Sequence, residues 1–87
     1  MPNALTKHLF QNQKGFDNER LPAILAQAAE TGAELLDLSK NNFTKLDFTG
    51  SPPLPNVVVL NISYNNAPIE EVVIPAAVFP NLKYLYL

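Results

Sequence analysis

Two stretches of this chain repeat one another closely enough to constrain its architecture more than any other feature. Residues 54–62 read LPNVVVLNI and residues 79–87 read FPNLKYLYL, 25 positions later. Leu54 matches Phe79, Pro55 matches Pro80, Asn56 matches Asn81, and Leu60 with Ile62 matches Leu85 with Leu87. A second match lies 24 residues upstream, LDLSKNNF at 36–43 against LNISYNNA at 60–67. There Ser39, Asn41 and Asn42 recur as Ser63, Asn65 and Asn66. A fixed period in this range signals stacked supersecondary units, each too small to bury its apolar face alone.

The spacing inside each unit has a physical reading. Leucines two apart, as at Leu36 and Leu38, lie on one face of a strand, with the intervening residue on the other. The asparagine that follows stands where the chain turns away, and its amide can satisfy backbone groups that the bend leaves unpaired. Asn41 and Asn65 would then stack as a ladder, and removing such a buried partner costs about 1–3 kcal/mol. On this reading the asparagines are scaffold.

The pattern resembles the leucine-rich repeat, whose consensus is L-x-x-L-x-L-x-x-N-x-L. Ala33, Leu36, Leu38, Asn41 and Phe43 form one copy; Val57, Leu60, Ile62, Asn65 and Ala67 form a second; Leu82, Leu85 and Leu87 begin a third. Ala33 and Ala67 depart from it, being small where the family carries larger aliphatic residues. The resemblance spans residues 33–87. It implies an α/β fold, a short solenoid of about two and a half repeats with parallel strands lining a concave face.

Between the strands the chain must return along the opposite side. Phe43, Leu46 and Phe48 supply apolar contacts on the first return, before the breaker-rich Thr49-Gly50-Ser51-Pro52-Pro53. The second return carries Ile69, Val72, Val73 and Ile74 before Pro75. Prolines interrupt both, so neither reads as a long helix. Upstream, residues 18–31 read as a helix with Asn18 as N-cap, Pro22 in the first turn and Gly32 at the stop. Leu21, Ile24, Leu25, Ala28 and Ala29 form one apolar stripe. This helix, within an N-terminal cap over residues 1–32, would cover the open end of the core. Residues 1–16 fit two readings: a degenerate strand in which Leu9 and Asn12 match Leu38 and Asn41, or a short helix capped by Asn3 and ending at Gly15.

At 87 residues there is room for a single domain. A chain this short buries only about 60–65% of its unfolded surface and commonly needs a disulfide, a metal or a partner. Cysteine is absent, which excludes disulfides, zinc-thiolate sites and thiol nucleophiles. His8 is the one histidine, with no metal-ligand spacing around it. No metal and no cofactor are expected, which leaves a protein partner as the supplement. Net charge is −2, and the six cations never form a run, so the counterion-displacing footprint of nucleic-acid binding is missing. The stretch from Val72 to Phe79 is too short to span a bilayer, and Thr6, Lys7 and His8 interrupt any signal-type apolar run. The expectation is an intracellular, cytoplasmic domain with no membrane insertion, an organelle remaining open.

Side chains alternating with the inward leucines define the candidate partner-binding surface. They are Asp37, Ser39 and Lys40, then Asn61, Ser63 and Tyr64, then Tyr84 and Tyr86. Tyrosines carry large contact area at low entropic cost, though tyrosine also simply suits strands. The chain stops at Leu87 inside its third strand, where a polar capping element is the rule. An uncapped edge there would add Leu82, Leu85 and Leu87 to the contacts. PPLP at 52–55 fits a polyproline ligand, yet also a turn between repeats, since Pro55 recurs as Pro80. Asn42-Phe43-Thr44 and Asn61-Ile62-Ser63 match the glycosylation pattern but arise from the repeat itself. Catalysis finds little support: Ser39 or Ser63 would need His8 as base, and Asp37 and Asp47 are isolated. No small-molecule substrate is expected. The sequence thus points to a non-catalytic protein–protein interaction module, a subunit of a larger assembly, with a transient adaptor as the alternative and a serine hydrolase far behind.

Overall fold

A computed structural model describes residues 7–65 and 68–87. In chain order these form β1 (His8–Phe10), a 3-10 turn (Asn18–Arg20), α1 (Leu21–Thr31), β2 (Leu35–Asp37), β3 (Lys45–Asp47), β4 (Val59–Asn61), β5 (Glu71–Val73) and β6 (Tyr84–Tyr86). Strands β1, β2, β4 and β6 make a four-stranded sheet in that order, and β3 pairs with β5 in a second. Every pairing is parallel. The chain is therefore a small α/β fold with parallel strands, one α-helix among the described residues and no closed barrel.

The register explains which face is buried. Leu9, Leu36, Leu60 and Leu85 stand opposite one another across the four strands. Alternation along each strand turns this row inward and the flanking residues outward. Leu36 and Leu60 are fully buried, as are Leu38 and Ile62 just past the strand ends. The opposite wall supplies Phe43, Leu46 and Phe48, and the rings of Phe48 and Phe79 meet edge to face at 5.1 Å. Helix α1 contributes Leu21, Ile24, Leu25 and Ala28 to the same core. Fully burying a side chain of this size stabilises by about 1.5–3 kcal/mol.

Two local devices recur. First, β2, β3 and β4 each end in an Asx-x-Ser/Thr turn. The Asp37 Oδ1 accepts from the Ser39 N–H at 2.9 Å and hydroxyl at 2.6 Å, and Asn61 Oδ1 does the same for Ser63 at 3.1 and 2.6 Å. Asp47 Oδ1 accepts from the Thr49 N–H at 2.9 Å. Second, Gln13, Lys40 and Tyr64 all adopt positive φ, at 58°, 58° and 56°. Each lies four residues beyond an inward leucine. The left-handed region disfavours side chains by about 1–2 kcal/mol, so the turn is imposed by what surrounds it.

Both asparagines bond backbone groups at the bends. Asn41 is fully buried; its Oδ1 accepts from the N–H groups of Lys14 and Phe16, and its Nδ2 donates to the carbonyls of Gln11, Leu38 and Ser39. Asn65 repeats the geometry one unit on, accepting from the Phe43 N–H and donating to the Ile62 carbonyl.

Several expectations need correction. Residues 8–10 do form a strand, but Leu9 aligns with Leu36 and not with Leu38, so Asn12 is not the counterpart of Asn41. The first-turn cap is Asp17, whose side chain accepts from the Glu19 N–H. Asn18 instead ties the helix to the strand wall, accepting from the N–H groups of Thr44 and Lys45 and donating to the Thr44 hydroxyl. Gly32 does end α1, at φ 66°, with its N–H bonded to the Ala28 carbonyl; Ala29 is exposed. The two returns hold β3 and β5, and Val72 and Val73 remain 37% exposed rather than fully packed. Asn3, Asn66 and Ala67 lie outside the described residues.

The Asp47 turn makes a prediction about pH. The Thr49 hydroxyl, and next its backbone N–H, hold the Asp47 carboxyl below its ordinary value. A depressed folded value means stability that is present above the unfolded value and lost as pH falls through the folded one. In Thr49→Ala the Asp47 carboxyl is expected to move upward in an NMR titration. An unchanged titration would show that the hydroxyl does not hold it.

Candidate functional site

The outward face of the four-stranded sheet carries two rows of side chains. One row, in register, is Phe10, Asp37, Asn61 and Tyr86; the other is His8, Leu35, Val59 and Tyr84. At about 4.8 Å between strands each row is roughly 14 Å long. Phe10, Tyr84 and Tyr86 are 53%, 57% and 53% exposed, while Leu35, Val59, Asp37 and Asn61 are half-buried between them. The His8 and Phe10 rings meet edge to face at 5.4 Å. The face is thus aromatic at both ends, aliphatic along one row and polar at the middle of the other.

The polar centre is held rigidly. Asp37 and Asn61 each commit Oδ1 to the serine two residues later, which fixes the plane of the carboxylate and of the amide. Asp37 Oδ2 and Asn61 Nδ2 accept and donate no hydrogen bond among the described residues.

The sequence-selected residues separate into distinct places. Asp37, Asn61, Tyr84 and Tyr86 do share the outward face. Ser39 is 5% exposed with its hydroxyl bonded to Asp37, and half-buried Ser63 is bonded to Asn61, so both serve the turn rather than the surface. Lys40 and Tyr64 stand on the left-handed turn beyond the strand ends, Tyr64 79% exposed. Leu85 and Leu87, 40% and 74% exposed, lie at the β6 edge, with half-buried Leu82 leading into it. That edge has no further strand beside it among the described residues. An apolar groove of about 390 Å³ opens there, lined by Ile62, Tyr64, Ile69, Val72 and Leu87 among others.

His8, Phe10, Leu35 and Val59 were missed as surface residues. The signal available was the alternation His8-Leu9-Phe10, which places both flanking rings on the face opposite Leu9.

The remaining constellations offer less. Leu54 is buried in the core, so PPLP presents only its prolines. His8 pairs with Leu35, four residues before Ser39, a separation of about 13 Å along a strand. Neither serine hydroxyl bonds a histidine, and the described residues hold no cluster of three metal-ligating side chains. No helix among them is long and apolar enough to cross a membrane. A second opening, about 380 Å³, lies by Gly15, Phe16 and Glu19, where the Arg20 guanidinium sits 4.9 Å over the Phe16 ring.

No family model, no curated protein and no solved structure matches this chain.

Proposed function

We propose that this chain is a short leucine-rich-repeat-like solenoid whose work is non-catalytic binding of another protein, as a small subunit of a larger assembly. The observation that carries the reading is the outward sheet face, where three exposed aromatic rings frame a half-buried aliphatic and polar centre. Aromatic residues supply much of the binding energy at protein interfaces. The β6 edge, with exposed Leu85 and Leu87 beside its groove, is the second contact surface on this reading. Support for the solenoid comes from the inward leucine row, the Asx turns and the left-handed positions, which repeat together from one unit to the next.

The test is a photo-crosslinking side chain placed at Tyr84 or Tyr86 and, as control, at Ala26 on the exposed face of α1. Adducts to one or a few proteins are expected from the sheet positions in cells of the source organism, with none from Ala26. Equal or absent crosslinking at all three positions would remove the case for this face.

A further inference from the structure

We propose that Asp37 and the rings around it form a site for an arginine side chain of the partner protein. The inference rests on the sheet face being an interaction surface and adds the chemistry of what occupies its centre. Asp37 is the only carboxylate in the two outward rows. It is half-buried and makes no ion pair among the described residues, and with Oδ1 held by Ser39 its free oxygen, Oδ2, has a fixed direction. A half-buried carboxylate with one oxygen open is a directed acceptor for a cationic, hydrogen-bonding occupant.

The surroundings select the cation. Phe10 lies one strand away in register and Tyr86 two strands away on the other side. A guanidinium is planar, weakly hydrated and able to stack on a ring while donating to a carboxylate; an ammonium is compact and strongly hydrated. Half-buried Leu35, two residues before Asp37 on the same face, offers an apolar track for the arginine stem. Asn61, next to Asp37 across the sheet, has its Oδ1 taken by Ser63 and its Nδ2 open, which suits a carbonyl of the same partner segment. None of the chain's lysines or arginines stands in the two rows, and the net charge of −2 favours a basic partner.

The experiment titrates N-acetyl-arginine amide into the isotope-labelled full chain and follows Phe10, Asp37, Asn61 and Tyr86 by NMR. Shifts at these residues that saturate at about 1–10 mM are expected, the affinity range of one anchored side chain. Asp37→Asn keeps an acceptor for Ser39 and should weaken the response at least about tenfold. Should that variant lose the native spectrum, Phe10→Ala, at an exposed position, takes its place and is expected to weaken binding about threefold or more. No response at these residues, an unchanged response in the variant used, or equal binding of N-acetyl-lysine amide would each overturn the arginine site. If Tyr84 crosslinks persist while the arginine response fails, only this inference falls. Loss of both removes the interaction reading as well.

Discussion

Asn41→Ala is expected to lose about 3–4 kcal/mol of stability, seen as an earlier urea midpoint with an unchanged slope. The side chain is fully buried; its Oδ1 accepts two hydrogen bonds and the two hydrogens of its Nδ2 are shared among three carbonyls, all backbone groups of its own turn and of the chain following β1. Alanine takes this partner from the Lys14 and Phe16 N–H groups and the Gln11 and Leu38 carbonyls, while the Ser39 carbonyl keeps the Gln13 N–H; each unsatisfied buried group costs about 1–3 kcal/mol unless water reaches it. Some relaxation is certain near Lys14 and Phe16, which keeps the sum well below the pairwise total. A domain of this length holds only about 4–13 kcal/mol in all, so the variant sits near the edge of folding. Asn65→Ala removes a smaller set, one accepted and one donated bond, and is expected to cost about 1–2 kcal/mol. Equal losses at the two positions would refute the account of Asn41 as the pin between β1 and β2.

Phe48→Ala should be as damaging for a different reason. Phe48 is fully buried on the wall opposite the leucine row and packs edge to face on Phe79. Truncating a core phenylalanine costs about 3–5 kcal/mol, the transfer loss plus the cavity left behind. The comparison that gives the number meaning is Phe10→Ala. Phe10 is 53% exposed, so its truncation should stay within about 0.5 kcal/mol. One phenylalanine then holds the fold and the other serves the surface, and thermal or urea unfolding of both variants separates the roles. A large loss for Phe10→Ala would mean that the ring is structural, and the interaction face would shrink accordingly.

Much of the leucine sheet was legible because alternation and asparagine spacing are backbone requirements written directly in residue types. Leu36, Leu60 and Leu85 align as read, and Gly32 ends the helix where its left-handed φ is needed. The β1 register was legible in kind and wrong in position. Asparagine 12 suggested the match, whereas Asn41 is served by the bare N–H groups of Lys14 and Phe16, which leave no mark in sequence. The β3–β5 pair was illegible for a simpler reason. Three-residue strands carry one alternation at most, and Glu71–Val73 does not alternate in burial at all. The candidate face was half legible: Tyr84 and Tyr86 stand out by type, but His8 and Phe10 join them only once the parallel pairing of β1 is known. Ser39 and Ser63 were chosen by alternation, and the Asx turns that draw their hydroxyls to Asp37 and Asn61 override it.

The equivalence of Gln13, Lys40 and Tyr64 has one more consequence. The inward leucines Leu9, Leu36, Leu60 and Leu85 are 27, 24 and 25 residues apart, yet each left-handed residue follows its leucine at the same distance. The variation in spacing therefore falls after the left-handed residues, in segments that hold α1 between β1 and β2 and the proline-rich Thr49–Pro53 stretch between β2 and β4. An insertion between Leu36 and Lys40 would flip alternate side chains to the wrong side, whereas one between Ser51 and Pro53 leaves the Thr49–Asp47 and Ser51–Phe48 bonds in place and costs mainly loop entropy. Chain length and the outward sheet face are thus set by different segments.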